Sequence, residues 1–79
     1  MKKIEIYTKG YCPYCSKAKA LLEAKSIKYT EYDVQHDEEK FSEMLKRADG
    51  RRTVPQVFID DIGIGGCDDL YALDKSGGL

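Results

Sequence analysis

The chain has 79 residues, of which 42% are hydrophobic and 34% charged, and a formal net charge of −1. That length predicts one domain, residues 1–79, with a modest core, and the composition argues against disorder. The charge gives no reason to expect nucleic acid or an anionic membrane surface as a partner, and no apolar run approaches the ~20 residues of a membrane span.

Lys2 to Thr8 alternates, with Ile4, Ile6 and Thr8 on one face and Lys3, Glu5 and Tyr7 on the other. This predicts a half-buried strand, with Tyr7 adding cover on the second face. Met1-Lys2-Lys3 leads straight into that alternation and shows no signal-peptide pattern, so reduced thiols and a cytoplasmic location are expected.

Lys9-Gly10 breaks the strand, and Tyr11-Cys12-Pro13-Tyr14-Cys15 follows. Cys12 then stands where a helix begins, and Pro13 takes the first helical position, where a missing N–H costs nothing. Backbone N–H groups and the aligned peptide dipoles favour a thiolate there. Such settings lower a cysteine from about 8.5 to roughly 3.5–7.5. Cys15 lies about one turn behind Cys12, close enough to form a disulfide with it. A structural disulfide framework fits three cysteines poorly. A zinc site lacks a second ligand pair, because only Cys67 and His36 remain. The stretch therefore predicts a reversible dithiol/disulfide centre with no metal.

The helix should run to Lys25 or Ser26, burying Cys15, Ala18 and Leu22. Ile27 to Val34 reads as a second strand, parallel to the first through a right-handed crossover. Asp37 is placed to cap a second helix, with Glu38 and Glu39 in its first turn. Phe41, Met44, Leu45 and Ala48 form its buried stripe, and Gly50 is expected as a left-handed cap. Arg51 to Thr53 reads as an exposed connection. Gln56 to Asp60 and Ile62 to Ile64 read as a hairpin turning at Asp60-Asp61. Gly65-Gly66 precedes a short helix opened by Cys67-Asp68-Asp69, with Leu70 and Leu73 as its core contacts. Ser76 to Leu79 reads as a loose end. The expected architecture is α/β, ordered β-α-β-α-β-β-α, with a four-stranded mixed sheet and three helices.

Three motifs thus fall in order: Cys12-Pro13-Tyr14-Cys15, Thr53-Val54-Pro55, and Gly65-Gly66-Cys67-Asp68-Asp69. Together, over essentially the whole chain, they resemble a dithiol glutaredoxin of the small bacterial type. The resemblance implies the thioredoxin fold, βαβ plus ββα. It also implies an oxidoreductase that reduces glutathione mixed disulfides and protein disulfides, with glutathione as co-substrate and no bound cofactor. Cys12 is then the attacking thiol and Cys15 the resolving one, at a potential of roughly −200 to −230 mV. Glutathione, disulfide-bonded or glutathionylated proteins and, indirectly, glutathione reductase are the implied partners, and a monomer is expected.

For glutathione, Lys9 offers a carboxylate partner, and Arg51 or Arg52 a weaker one. Val54, between Thr53 and Pro55, is implied to lend its backbone to the cysteinyl part, with Pro55 cis. Gly66 permits close approach. The N–H groups of Cys67 and Asp68 suit the γ-glutamyl carboxylate. An Asp68 or Asp69 side chain, Asp68 preferred, suits its ammonium, with helix capping open to both. Tyr14 is expected to cover the thiols. A reductase-served redoxin would share the Cys-x-x-Cys pair without needing the Gly65–Asp69 site. An iron–sulfur carrier working through Cys12 is disfavoured by Pro13 and by the competing Cys15. Members of this family usually continue several residues past Leu79, so the last helix is expected to be weakly anchored.

Overall fold

A computed structural model describes residues 2–79. The opening alternation forms β1 (Ile4–Thr8), and Pro13–Ala24 forms α1. Thr30–Asp33 follows as β2, Glu38–Arg47 as α2, Gln56–Ile59 as β3, Ile62–Gly65 as β4 and Cys67–Lys75 as α3. The sheet order is β2-β1-β3-β4. β1 and β2 are parallel, and the other two pairings are antiparallel. This is the thioredoxin arrangement the motifs imply. Among the described residues no helix is long and apolar enough to cross a membrane.

The two faces of the sheet are built from different chemistry. Ala18 and Leu22 of α1 and Leu70 of α3 pack on Ile4, Ile6, Val57 and Ile59, an aliphatic layer. On the other face Met44 and Ala48 of α2 meet Tyr7, Val34 and Phe58. β1 is therefore buried on both sides rather than half-buried, and Glu5 and Tyr7 are 5% and 0% exposed. The reason is Arg47, which Lys3-Glu5-Tyr7 alone does not announce. Its Nη2 donates to Glu5 Oε1 at 2.9 Å and its Nη1 to the Tyr7 hydroxyl at 2.7 Å, while the guanidinium lies 4.1 Å from the Phe58 ring centre. Tyr32 Oη donates to the other Glu5 oxygen. The Arg47 hydrogen bond, against the penalty of burial, holds the Glu5 carboxyl below its usual range.

Helix ends depart most from expectation. α1 stops one or two residues early, at Ala24, because Ser26 adopts φ +57°. Its N–H reaches Glu23 O at 3.0 Å and that of Ile27 reaches Leu22 O at 2.9 Å, a Schellman closure. Ile27 and Tyr29 consequently pack on the aliphatic layer before β2 begins. α2 closes in the same way. Asp49 (φ +54°) joins Gly50 (φ +83°) in the left-handed region, and Gly50 N–H donates to Leu45 O. The expected loose end is also a closure. Gly77 (φ +82°) donates to Asp74 O and Gly78 to Leu73 O, and Lys2 Nζ donates to Gly78 O. Leu79 packs on the core beside α3, so the last helix is fixed at its C-terminus.

Candidate active site

Cys12 is the N-cap of α1, with extended backbone (φ −150°, ψ 105°). Its Sγ accepts the Cys15 N–H at 3.2 Å, in the place a serine or aspartate oxygen usually fills. Pro13 occupies the next position, and no carboxylate lies in the first turn. Cys12 is half-exposed, whereas Cys15 is 2% exposed. Burial, and then the neighbouring Cys12 sulfur, push the Cys15 thiol up to about 12. One motif thus holds an accessible thiol and a protonated reserve behind it.

The Val54–Pro55 peptide bond is cis, as the motif implies. It brings Val54 O to 3.9 Å from Cys12 Sγ. From there a groove of about 200 Å³ runs along Thr53, Val54, Pro55 and Gln56 to Gly66, Cys67, Asp68 and Asp69, with Tyr14 and Arg51 at its rims. Gly66 lets the last turn approach the proline loop: a Cβ there would sit 3.3 Å from Pro55 O. Gly65 (φ +106°) aims the chain into α3, and any side chain on it would strike the Asp69 carboxylate.

The two aspartates at the start of α3 separate by role. Asp69 Oδ2 accepts the Gly66 N–H at 2.9 Å and thereby caps the helix. Asp68 is exposed beside the groove. Cys67 is buried, and burial raises its thiol above the usual range. It holds the first position of α3 and lines the groove.

Of the residues expected to contact a ligand, Tyr14, Thr53, Val54, Pro55, Gly66, Cys67 and Asp68 line this one groove. Lys9 does not; it lines a different cleft with Tyr11, Val34, Gln35 and Phe41. Arg51 lies on the groove, while Arg52 stacks on the Phe41 ring at 5.6 Å. Tyr11 and Tyr14, at 95% and 61% exposure, flank the thiol. Gln56, expected only as the first residue of a strand, also lines the groove. A polar side chain directly after the proline, on the face that Tyr7 and Phe58 bury, was the available signal.

The glutaredoxin family model matches residues 4–64. Glutaredoxin 3 of Escherichia coli strain K12 is 57% identical over 79 residues, covering 100% of this chain and 94% of that protein. Glutaredoxin 1 of Rickettsia prowazekii is 51% identical over 80 residues, covering 96% and 81%. The solution structure of glutaredoxin from Brucella melitensis superposes with a TM-score of 0.79 at 48% identity, covering 95% of this chain and 80% of that one. The crystal structure of a buckwheat glutaredoxin–glutathione complex gives 0.86 at 31% identity, covering 99% and 73%. The accessible thiol at a helix start, its buried partner one turn on and the cis-proline edge beside them are therefore those of a family member: the chain belongs to the glutaredoxins, as a thiol–disulfide oxidoreductase of the small bacterial type.

Proposed function

We propose that the protein reduces glutathione mixed disulfides and protein disulfides through Cys12 and Cys15, with glutathione as electron donor. The observation that carries this is the groove itself. It is lined by Val54, whose carbonyl oxygen lies 3.9 Å from the half-exposed Cys12 sulfur, and by Cys67 and Asp68, whose N–H groups open α3. Those are the needs of a thiol peptide with a carboxylate at its far end. Val54 would pair with the cysteinyl unit strand-fashion. The N–H groups of Cys67 and Asp68 would hold the γ-glutamyl carboxylate, and the Asp68 carboxylate the adjacent ammonium. Thr53, Pro55 and Gly66 shape the walls, and Tyr14 covers the sulfur. Lys9 is proposed for a glutathione carboxylate from the Tyr11 side of Cys12. The buckwheat relative solved as a glutathione complex supports the same ligand.

In the mixed-disulfide reaction the Cys12 thiolate attacks the glutathionyl sulfur. The substrate thiolate leaves and takes a proton from solvent, and Cys12 becomes glutathionylated. The thiolate of a second glutathione attacks that glutathionyl sulfur, forming oxidised glutathione and releasing the Cys12 thiolate. With a protein disulfide, Cys12 bonds to one substrate sulfur and the other leaves. Cys15 then loses its proton, attacks Cys12 and expels the second substrate thiol. Cys15 is suited to act second. Part of what keeps it protonated is the Cys12 sulfur, and that contribution falls when Cys12 is consumed in a mixed disulfide. Two glutathiones reduce the resulting Cys12–Cys15 disulfide.

The test is turnover of a small glutathione mixed disulfide coupled to glutathione reductase. Wild type and Cys15→Ser should both turn over, and Cys12→Ser should not. Reduction of a protein disulfide should need both thiols. A Cys12→Ser protein with normal turnover, or a wild type that accepts only a dedicated reductase, refutes the reading.

A further inference from the structure

We infer that Gln56 is a positioning residue: its buried side-chain amide sets the Thr53–Val54 edge at the distance from Cys12 that a docked thiol peptide requires. The inference rests on the glutathione reading above and concerns how that edge is held. Between the closing turn of α2 and the start of β3, the last backbone–backbone hydrogen bond is Arg51 N–H to Ala48 O. Among the described residues, Arg52, Thr53 and Val54 have none. A segment so placed would drift, yet it carries the peptide group that must meet a ligand.

Gln56 supplies the missing tie. Its Nε2 donates to Thr53 O and to Thr53 Oγ1, both at 3.0 Å. A backbone carbonyl can only accept, so this pair of bonds also fixes which end of the amide faces Thr53. Gln56 is 3% exposed and sits opposite Tyr7, at the start of a strand paired on both sides. The tie therefore runs from a strand inside the sheet rather than at its edge. It engages Thr53 and leaves the Val54 N–H without a backbone partner among the described residues, with the Val54 C=O facing Cys12 Sγ at 3.9 Å. It touches neither Cys12 nor the first turn of α1, and the Cys15 N–H that donates to Cys12 Sγ at 3.2 Å lies outside it. Its main effect therefore falls on where the ligand lies; the long 3.9 Å contact from Val54 O is its one link to the sulfur.

The measurements are KM and kcat for a small glutathione mixed disulfide, with the rate of Cys12 alkylation across pH. Gln56→Met keeps length and burial but loses the donor. Its KM should rise about five- to twenty-fold, because sub-ångström misplacement of a docking group is costly. Its kcat at saturation should stay within about two-fold, and its alkylation profile should match wild type. Gln56→Lys, a donor of similar reach, should restore KM to within about two-fold of wild type. Should the methionine variant not fold, Gln56→Asn, polar but one methylene short of Thr53, carries the same expectation. An unchanged KM overturns the assignment of Gln56. So does a change in KM and alkylation rate together, which would mark a general loosening. A wild type that ignores the mixed disulfide overturns the glutathione reading and this inference with it.

Discussion

Two helices begin at the groove, and they begin differently. α3 opens as helix starts usually do: two aspartates occupy its first turn, and one of them, Asp69, returns to cap the Gly66 N–H. α2, away from the groove, follows the same pattern with Asp37, Glu38 and Glu39. α1 has a sulfur for its cap and no carboxylate in its first turn. The field at the end of a helix stabilises whatever anion is put there. In α2 and α3 that anion is a carboxylate of the chain's own. In α1 the place is left to Cys12, and the helix forgoes the stability a good cap confers. A strong N-cap contributes about 0.5–2 kcal/mol.

The largest effect follows from making α1 like its neighbours. Cys12→Asp should abolish turnover, at least about a thousand-fold, as removal of a nucleophile does. The fold should nonetheless be no less stable than wild type, because aspartate caps well. A denaturant titration showing clear destabilisation would mean that α1 does not start as described.

Next in size is an alkaline loss of stability set by the thiol behind the cap. The Cys15 thiol is raised from 9.0 to about 12 in the folded protein, first by burial and then by Cys12. The unfolded chain therefore gives up that proton first. Stability contributed by the buried thiol is complete below about pH 9 and falls toward pH 12, by up to about 1.4 kcal/mol per pH unit. Cys15→Ala should flatten this part of the profile, and equal slopes in the two proteins would contradict the burial argument.

Asp69→Ala removes the side-chain cap of α3 and should cost about 1 kcal/mol in thermal or urea unfolding. Asp68→Ala should cost less stability but raise KM for the glutathione substrate. If the two variants exchange these effects, the roles given to the pair are reversed. The smallest change is Ser16→Glu, which adds the carboxylate that α1 lacks at an exposed position. At about 0.3–1 kcal/mol of unfavourable interaction with the sulfur anion, alkylation of Cys12 at neutral pH should slow about two- to five-fold. No slowing would show that the empty first turn is incidental.

What could be read from the residues was mostly what is local. Pro13 after Cys12, Asp37 before Glu38, and the Thr53-Val54-Pro55 run each carry their structural meaning within a few positions, and each stands in the structure as expected. What could not be read depends on partners far along the chain. Glu5 looks like a surface residue until Arg47, 42 positions later, satisfies it. Ser76 to Leu79 looks loose because a Schellman closure with Gly at the turn has the same composition as a frayed tail. Lys9 precedes the thiols closely in sequence, but the chain bends at Gly10 and Tyr11, and Lys9 lines a cleft beside Tyr11 rather than the groove itself. Gln56 was illegible for the opposite reason: its partner Thr53 is only three residues away, on the other side of Val54-Pro55, and nothing in that spacing announces a side-chain bond.

Arg47 has one consequence beyond satisfying Glu5. Its guanidinium also bonds Asp61 at 3.3 Å, in the turn of the last hairpin. One side chain at the end of α2 therefore joins the opening strand to the β3–β4 turn. Neither the hairpin tip nor the last turn of α2 should fray alone. In native-state amide exchange, protons of the two should be released with the same free energy, as one opening unit that includes residues from both halves of the chain.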